Sequence, residues 1–441
     1  MSPEKHFFRF PEALDPSEYI FATYYVETPM DPHEAADAIA AEQSTGTWTR
    51  AKYETDERRE KYGCKVVGVY KVPFEPGSYH ILARMDWLDR VGDEGKPLKI
   101  NAAVLRIAFP WANFGPLLAN MLTAVGGNLF DMDALAAIKL IDLEFPESFT
   151  KQFRGPQFGI EGCRKLLGVY DRPLIGSIIK PCVGLSADEI ADLAYQGAKG
   201  GLDFIKDDEL IADTVYNSIK DRTKTICAAL KRAEGETGKK TLYAFNITDR
   251  PSRIRELYNI VIDSGGNCVM VNAATLGWEV LRELTESTGV PVFAHRDFAG
   301  AYLRSQYLGI SAEVLTKIWR LAGADMLHTG PIQGKLFETD EEALVNARAC
   351  LQDFHNIERA IPVSAGGQWA GKLPINCRKF GHTDFLHLSG GGVFAHPQGA
   401  EAGARSIHQA WEAYSQGVSL EEYARDHSAL QEAMAYFGSK S

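Results

Sequence analysis

The sequence predicts an α/β protein: a (β/α)8 TIM barrel preceded by a smaller α+β domain of ferredoxin-like type. Three observations carry this. From about Leu174 onward, eight short apolar runs alternate with amphipathic stretches. Strands that alternate with helices pair in parallel through right-handed crossovers, and eight such units close best as a barrel. An open doubly wound sheet is the runner-up. The residue just past every run is polar or glycine, which suits the catalytic face of a barrel. Roughly the first 150 residues lack the alternation altogether.

In the N-terminal part, segments 19–28, 65–71, 80–85 and 98–109 carry strand character, while 32–41 and 111–125 read as helices. Glycine and proline gather at 154–162, which places the boundary there and gives domains 1–154 and 155–441. Barrel strands are expected at 174–179, 202–205, 241–245, 268–271, 291–294, 325–327, 360–363 and 384–388. Helical patterning fills 186–200, 252–265, 278–289, 311–323 and 340–354. Ser186 with Glu189 has the spacing of a capping box, and Gly289 and Gly323 stand where helices stop. The tail is expected to form helices over 399–416 and 419–437, outside the barrel.

The chain has 441 residues, more than one average domain needs. It is 45% hydrophobic and 24% charged, an ordinary balance for a globular protein. A net charge of −11 without a basic run argues against nucleic acid or an anionic membrane as partner. A small anionic substrate stays compatible with local basic sites. The seven cysteines are scattered and form no C-x-x-C pair, which fits a reducing cytoplasm better than disulfides or zinc. The chain opens without an apolar signal core, and no apolar run approaches about 20 residues. The expectation is therefore a cytoplasmic protein with neither a membrane nor a nucleic-acid partner.

The chemistry concentrates where segment 200–209 runs Gly-Gly-Leu-Asp-Phe-Ile-Lys-Asp-Asp-Glu. An apolar run breaks there into Lys206, Asp207, Asp208 and Glu209. Buried charge is costly unless it is paired, hydrated or bound to metal. A hard cation such as Mg2+ prefers oxygen ligands of this kind. The other run ends supply Lys180, Asn246, Asn272, His295 with Arg296, His328, then Ser364 with Gly366 and Gly367, and finally Gly390, Gly391 and Gly392. Barrels commonly bind phosphate through backbone N–H groups where these last glycines fall. Arg296, His295 and His328 suit a second anionic group. A metal holding two substrate oxygens would acidify the C–H between them and stabilise an enediolate. Lys180, near a cation, is expected to have a depressed pKa and to move protons.

Across nearly its whole length the chain resembles the RuBisCO large-subunit superfamily. Segment 200–209 is similar to that family's Gly-Gly-Leu-Asp-Phe-x-Lys-Asp-Asp-Glu motif. The resemblance implies that Lys206 is carbamylated by CO2 and binds Mg2+ together with Asp208 and Glu209. Segment 42–49, Glu-Gln-Ser-Thr-Gly-Thr-Trp-Thr, resembles the family's N-terminal active-site segment. It implies that Glu42 pairs with a mobile-loop lysine, here Lys335 after Gly334, and that Thr47 and Trp48 help hold a phosphate. It also implies that this segment and Asn128 serve the neighbouring subunit's site, in a homodimer or an assembly of dimers. Lys180, in Ile-Lys-Pro, matches the lysine that moves protons from strand one. His295 and Arg296 match the strand-five pair, and His328 the strand-six histidine. Ser364, Gly366, Gly367, Gly390 and Gly391 match the substrate and phosphate contacts.

The departures shape the expected activity. The family's carboxylases carry a second lysine two positions after the first, where this chain has Cys182, and a histidine three positions after the strand-five arginine, where it has Ala299. Segment 368–372 differs as well. The chain therefore resembles the RuBisCO-like proteins of form IV, which enolise phosphorylated keto-sugars. Lys335 and Glu42 favour a substrate that presents a carboxylate. The expected reaction is decarboxylation or related C–C cleavage of a phosphorylated 3-oxo sugar acid, such as 3-oxo-isoapionate 4-phosphate. The alternative is a methionine-salvage enolase or isomerase acting on a methylthio-pentulose phosphate. A true ribulose-bisphosphate carboxylase and a non-catalytic binding protein rank below both.

Overall fold

The structure is a computed structural model that describes residues 7–47, 49–74 and 99–439. The chain forms two compact units, one of Met1–Phe153 with Gly300–Ile318 and one of Arg154–Ala299 with Trp319–Ser441.

In the first unit, β1 (Tyr19–Thr28), β2 (Lys65–Val72), β3 (Asn101–Pro110) and β4 (Ala137–Glu144) form an antiparallel sheet. Helices Pro32–Glu42 and Leu118–Gly126 follow β1 and β3. Strand, helix, two strands, helix, strand, with β4-β1-β3-β2 side by side, is the ferredoxin-like arrangement. A fifth strand, β10 (Leu308–Ile310), pairs parallel to β4 and brings segment 300–318 into this unit. In β1 the alternate residues Ile20, Ala22, Tyr24 and Val26 are fully buried, as the two-residue period of a strand requires. Helix Pro32–Glu42 starts with Asp31 accepting from the His33 N–H and with proline in its first turn. The single helix expected over 111–125 is instead a 3-10 turn, Trp111–Asn113, followed by the helix from Leu118. Gly115 at φ +63° and Pro116 separate the two. The strand expected at 80–85 lies outside the described residues.

The second unit is a closed barrel of eight parallel strands, which excludes the open sheet. In chain order these are β5 (Leu174–Ile178), β6 (Phe204–Lys206), β7 (Leu242–Asn246), β8 (Cys268–Asn272), β9 (Val292–His295), β11 (Met326–His328), β12 (Ile361–Ala365) and β13 (Leu386–Ser389), with β13 closing onto β5. Phe204, Met270, Phe293, Met326, Val363 and Leu386 belong to its buried core. Ile160, Cys163 and Leu167 of helix Gly159–Leu167 join the same cluster. The capping box at Ser186 forms, with both the side chain and the N–H of Ser186 engaged by Glu189. The tail helix expected over 419–437 is two helices, Leu420–Tyr423 and Ser428–Phe437, joined by a 3-10 turn.

Gly201, just before the second barrel strand, has φ +99°, and a Cβ there would lie 2.9 Å from His408 Nε2. The His408 ring meets the Gly201 carbonyl at 2.7 Å, tying helix Ala400–Gln416 to the start of this strand. The loop that leads to Lys206 is thus held from outside the barrel. All seven cysteines are free thiols. Among the described residues, no helix is long and apolar enough to cross a membrane.

Fully buried His387 on β13 lies 2.8 Å from Asn376 Nδ2 and 3.2 Å from Ser389 Oγ. Burial lowers its pKa to about 3. The sign follows from linkage. Between pH 6.5 and 3 the unfolded chain takes up a proton on His387 that the folded chain refuses, so acid removes stability. The slope from this residue approaches about 1.4 kcal/mol per pH unit. Denaturant midpoints at pH 7 and pH 4.5 should therefore differ less in His387→Gln than in the parent. An equal difference would assign the acid sensitivity elsewhere.

Candidate functional site

Lys206 is the last residue of β6, in register with Ile178 of β5 and Ala244 of β7. Its side chain is fully buried. Its ammonium donates to Glu209 Oε2 at 3.0 Å and to the Asp207 carbonyl at 2.9 Å. Burial pushes the Glu209 carboxyl up, but Lys206 and then His295 oppose it, and the net shift is far below the usual carboxylate range.

Lys180, just past β5, donates to Asp208 Oδ2 and, at 3.1 Å, to Cys182 Sγ. Burial pulls the ammonium down, but the bonds to Asp208 and Cys182 outweigh it, and the pKa lies above the ordinary lysine value. Asp208 contributes most to this rise. Each of the two carboxylates thus faces one lysine ammonium.

Behind them lies a buried network that the sequence reading does not contain. Asp207 and Arg222 are both fully buried, with Arg222 Nε 3.1 Å from Asp207 Oδ2. The same carboxylate accepts from the Tyr243 hydroxyl at 2.6 Å and the Asn246 N–H at 2.9 Å. It pins the backbone between Lys206 and Asp208. The Glu209 carbonyl is held by two side-chain amides, Asn246 Nδ2 at 3.2 Å and Asn272 Nδ2 at 3.1 Å. Asn246 and Asn272 were recognisable as strand ends; their grip on Glu209 was not.

His295 ends β9, and its Nε2 lies 3.4 Å from Glu209 Oε2. Its Nδ1 accepts from the Asp297 N–H at 3.1 Å, which leaves the proton on Nε2, facing the site. Burial, helped by Lys206, lowers its pKa to about 3. His328 packs edge-on against it with ring centroids 5.4 Å apart, and burial followed by Arg296 keeps it neutral too. Arg296 forms an ion pair with Glu338.

Gly334 and Lys335 lie against the end of β12. Lys335 is exposed, its N–H donates to the Gly366 carbonyl at 3.4 Å, and a Cβ on Gly367 would lie 3.2 Å from that nitrogen. Gly366 and Gly367 both adopt positive φ, +107° and +72°, which keeps their backbone bare. The Ser364 hydroxyl is fully buried between the Ile332 N–H and Asn376, each at 3.4 Å. Gln368, in the divergent segment 368–372, donates to the Ile332 carbonyl at 3.0 Å and so braces the loop. Gly390 borders Lys180, since a Cβ there would lie 3.2 Å from Lys180 Cε. Gly391 follows it at the start of the short helix Gly391–Phe394. In the other unit, Asn128 Nδ2 donates to Glu42 Oε1 at 3.2 Å, and Thr47 is exposed. Trp48 lies outside the described residues.

Among the described residues, no three His, Cys, Asp or Glu side chains gather so as to hold a metal ion. Asp208 and Glu209 are neutralised by lysines instead. Carbamylation would turn Lys206 from a cation into an anionic oxygen ligand beside the Glu209 carboxylate, and anionic oxygens of this kind suit a hard divalent cation. The Asn272 Oδ1 atom, buried without a partner, is a further neutral oxygen beside Glu209. The residues therefore fit Mg2+ when Lys206 is carbamylated.

The chain is similar to known proteins over nearly its whole length. Residues 159–437 match the family model described as the ribulose bisphosphate carboxylase large chain, catalytic domain, and residues 12–87 and 88–149 match its N-terminal domain. A ribulose bisphosphate carboxylase-like protein of Archaeoglobus fulgidus is 41% identical, covering 98% of this chain and 96% of its own. A 3-oxo-isoapionate-4-phosphate transcarboxylase/hydrolase of Xanthobacter autotrophicus is 36% identical, over 96% of this chain and 100% of its own. A 3-oxo-isoapionate-4-phosphate decarboxylase of Rhizobium rhizogenes is 34% identical, over 95% and 98%. The crystal structure of a rubisco-like protein from Burkholderia fungorum superposes with a TM-score of 0.85 at 32% identity, covering 95% of this chain and 100% of that one. The chain belongs to the ribulose bisphosphate carboxylase large-chain family.

Proposed function

We propose that this chain is a Mg2+-dependent, RuBisCO-like enzyme that decarboxylates, or cleaves a C–C bond of, a phosphorylated 3-oxo sugar acid. The observation that carries this is one barrel mouth that keeps Lys180, Lys206, Asp208, Glu209, His295 and Lys335 while positions 182 and 299 are cysteine and alanine. Relatives named for 3-oxo-isoapionate 4-phosphate chemistry align over 96% and 95% of the chain.

Lys206 as its carbamate, with Asp208 and Glu209, would hold Mg2+. The bound ion would supply Lewis acidity to neighbouring substrate oxygens. Backbone N–H groups at Gly366, Gly367, Gly390 and Gly391 receive the phosphate. Lys335 grips the carboxylate. The bond between that carboxyl carbon and the carbon next to the keto group breaks. Its electron pair passes to the keto oxygen, giving an enediolate, and CO2 departs. Lys180, held as an ammonium by Asp208, returns a proton to the carbon. His295, neutral with its proton on Nε2, donates to a developing oxyanion. By resemblance, Glu42, Thr47, Trp48 and Asn128 complete the site of the neighbouring subunit in a homodimer.

A substrate panel with Mg2+ and bicarbonate tests this. CO2 release from 3-oxo-isoapionate 4-phosphate is expected, with Lys335→Met lowering kcat by about a hundredfold, the scale of one lost charge-stabilising donor. Proton exchange on a methylthio-pentulose phosphate without CO2 release from the sugar acid would assign the alternative reaction.

A further inference from the structure

Three cations at the barrel mouth each face a carboxylate: Lys180 with Asp208, Lys206 with Glu209, and Arg296 with Glu338. The first two pairs belong to the metal and proton chemistry. The third does not. Arg296 follows His295 at the end of β9, and its side chain is only 9% exposed. Glu338 comes from the loop that carries Lys335, and its side chain is 2% exposed. A Cβ on Gly330 would lie 3.5 Å from Arg296 Nη1 and 3.8 Å from Glu338 Cδ, so the base of the loop closes over the pair. One carboxylate oxygen takes the guanidinium; the other, Oε2, is buried with no hydrogen-bond partner.

We propose that Glu338 is a specificity residue that closes this end of the pocket to a second phosphate, so that the site takes sugar monophosphates and rejects bisphosphates. The inference rests on the reading of the barrel mouth as a sugar-phosphate site. Arg296 is the cation best placed to receive an anion next to His295 and His328. With Glu338 in place its charge is already spent. A phosphate arriving there must displace a desolvated carboxylate or lie against it, and like charges at such a distance repel strongly. A hydroxyl carries no charge and meets no such barrier.

The test is calorimetric binding to the full chain, with Mg2+ and bicarbonate present, of ribulose 5-phosphate and ribulose 1,5-bisphosphate. The parent should bind the bisphosphate no more tightly than the monophosphate. Glu338→Gln keeps the shape and removes the charge. It should bind the bisphosphate at least about tenfold tighter than the parent does, while monophosphate affinity changes by less than about threefold. The double variant R296M/E338Q should lose the gain. Thermal unfolding monitors the fold, and Glu338→Ser, held to the same criterion, serves if Glu338→Gln does not fold. An unchanged affinity ratio in these variants, or a parent that already prefers the bisphosphate, overturns the role of Glu338 alone. A parent that binds neither compound overturns the sugar-phosphate reading, and this inference with it.

Discussion

Lys206→Met is expected to lower kcat/KM by at least about a thousandfold, the upper range for losing a single charge-stabilising group. The substitution keeps the length of the side chain but removes both the ammonium and the capacity to form a carbamate. Mn2+ affinity, followed by electron paramagnetic resonance, should fall with it. The parent should gain activity slowly when incubated with bicarbonate and Mg2+; the variant should not. Glu209 offers an internal check, because Lys206 leads the attractions that hold its carboxyl so low. Without that ammonium the Glu209 pKa should rise. A folded Lys206→Met enzyme with unchanged Mg2+-dependent turnover would remove Lys206 from the mechanism.

Asp207→Ala should produce the largest loss of stability of any single change at this end of the barrel, about 3–5 kcal/mol. It leaves the Arg222 guanidinium, fully buried, without its carboxylate. It also strands the Tyr243 hydroxyl and the Asn246 N–H. Arg222 keeps its bonds to the Asn217 carbonyl at 2.9 Å and Oδ1 at 3.3 Å, which accept hydrogen bonds but carry no full charge. Urea unfolding reads the loss directly. Asp207→Asn should recover part of it, because one amide oxygen still accepts. Destabilisation below about 1 kcal/mol in Asp207→Ala would mean that water replaces the pair at little cost.

The barrel was readable because each strand–helix unit is a local pattern. Short apolar runs, capping residues and glycine stops recur at regular spacing, and a polar residue or glycine follows every run. Strand bounds slipped by a residue or two, most visibly at β6, observed at Phe204–Lys206 rather than 202–205. What failed to show was non-local. Arg222 lies on the helix Ile219–Thr237 between Lys220 and Lys224, and nothing in the sequence separates it from those lysines. Only the fold brings it to Asp207. Arg296 and Glu338 are 42 residues apart, so their pairing has no local signal either. Strand β10 is three residues long and half-buried, too short for its alternation to be seen.

That same short strand constrains how the chain can be made and cut. A polypeptide emerging from the ribosome cannot complete its first sheet after residue 153, because the edge beside β4 waits for Leu308–Ile310, beyond five of the eight barrel strands. A fragment ending at residue 153 would present the bare backbone of β4, an invitation to pair with another chain. A fragment beginning at residue 154 would carry 300–318 without the sheet it was built to join. The two units are therefore one translational unit, and an expression boundary drawn between them by sequence position should yield two aggregating halves.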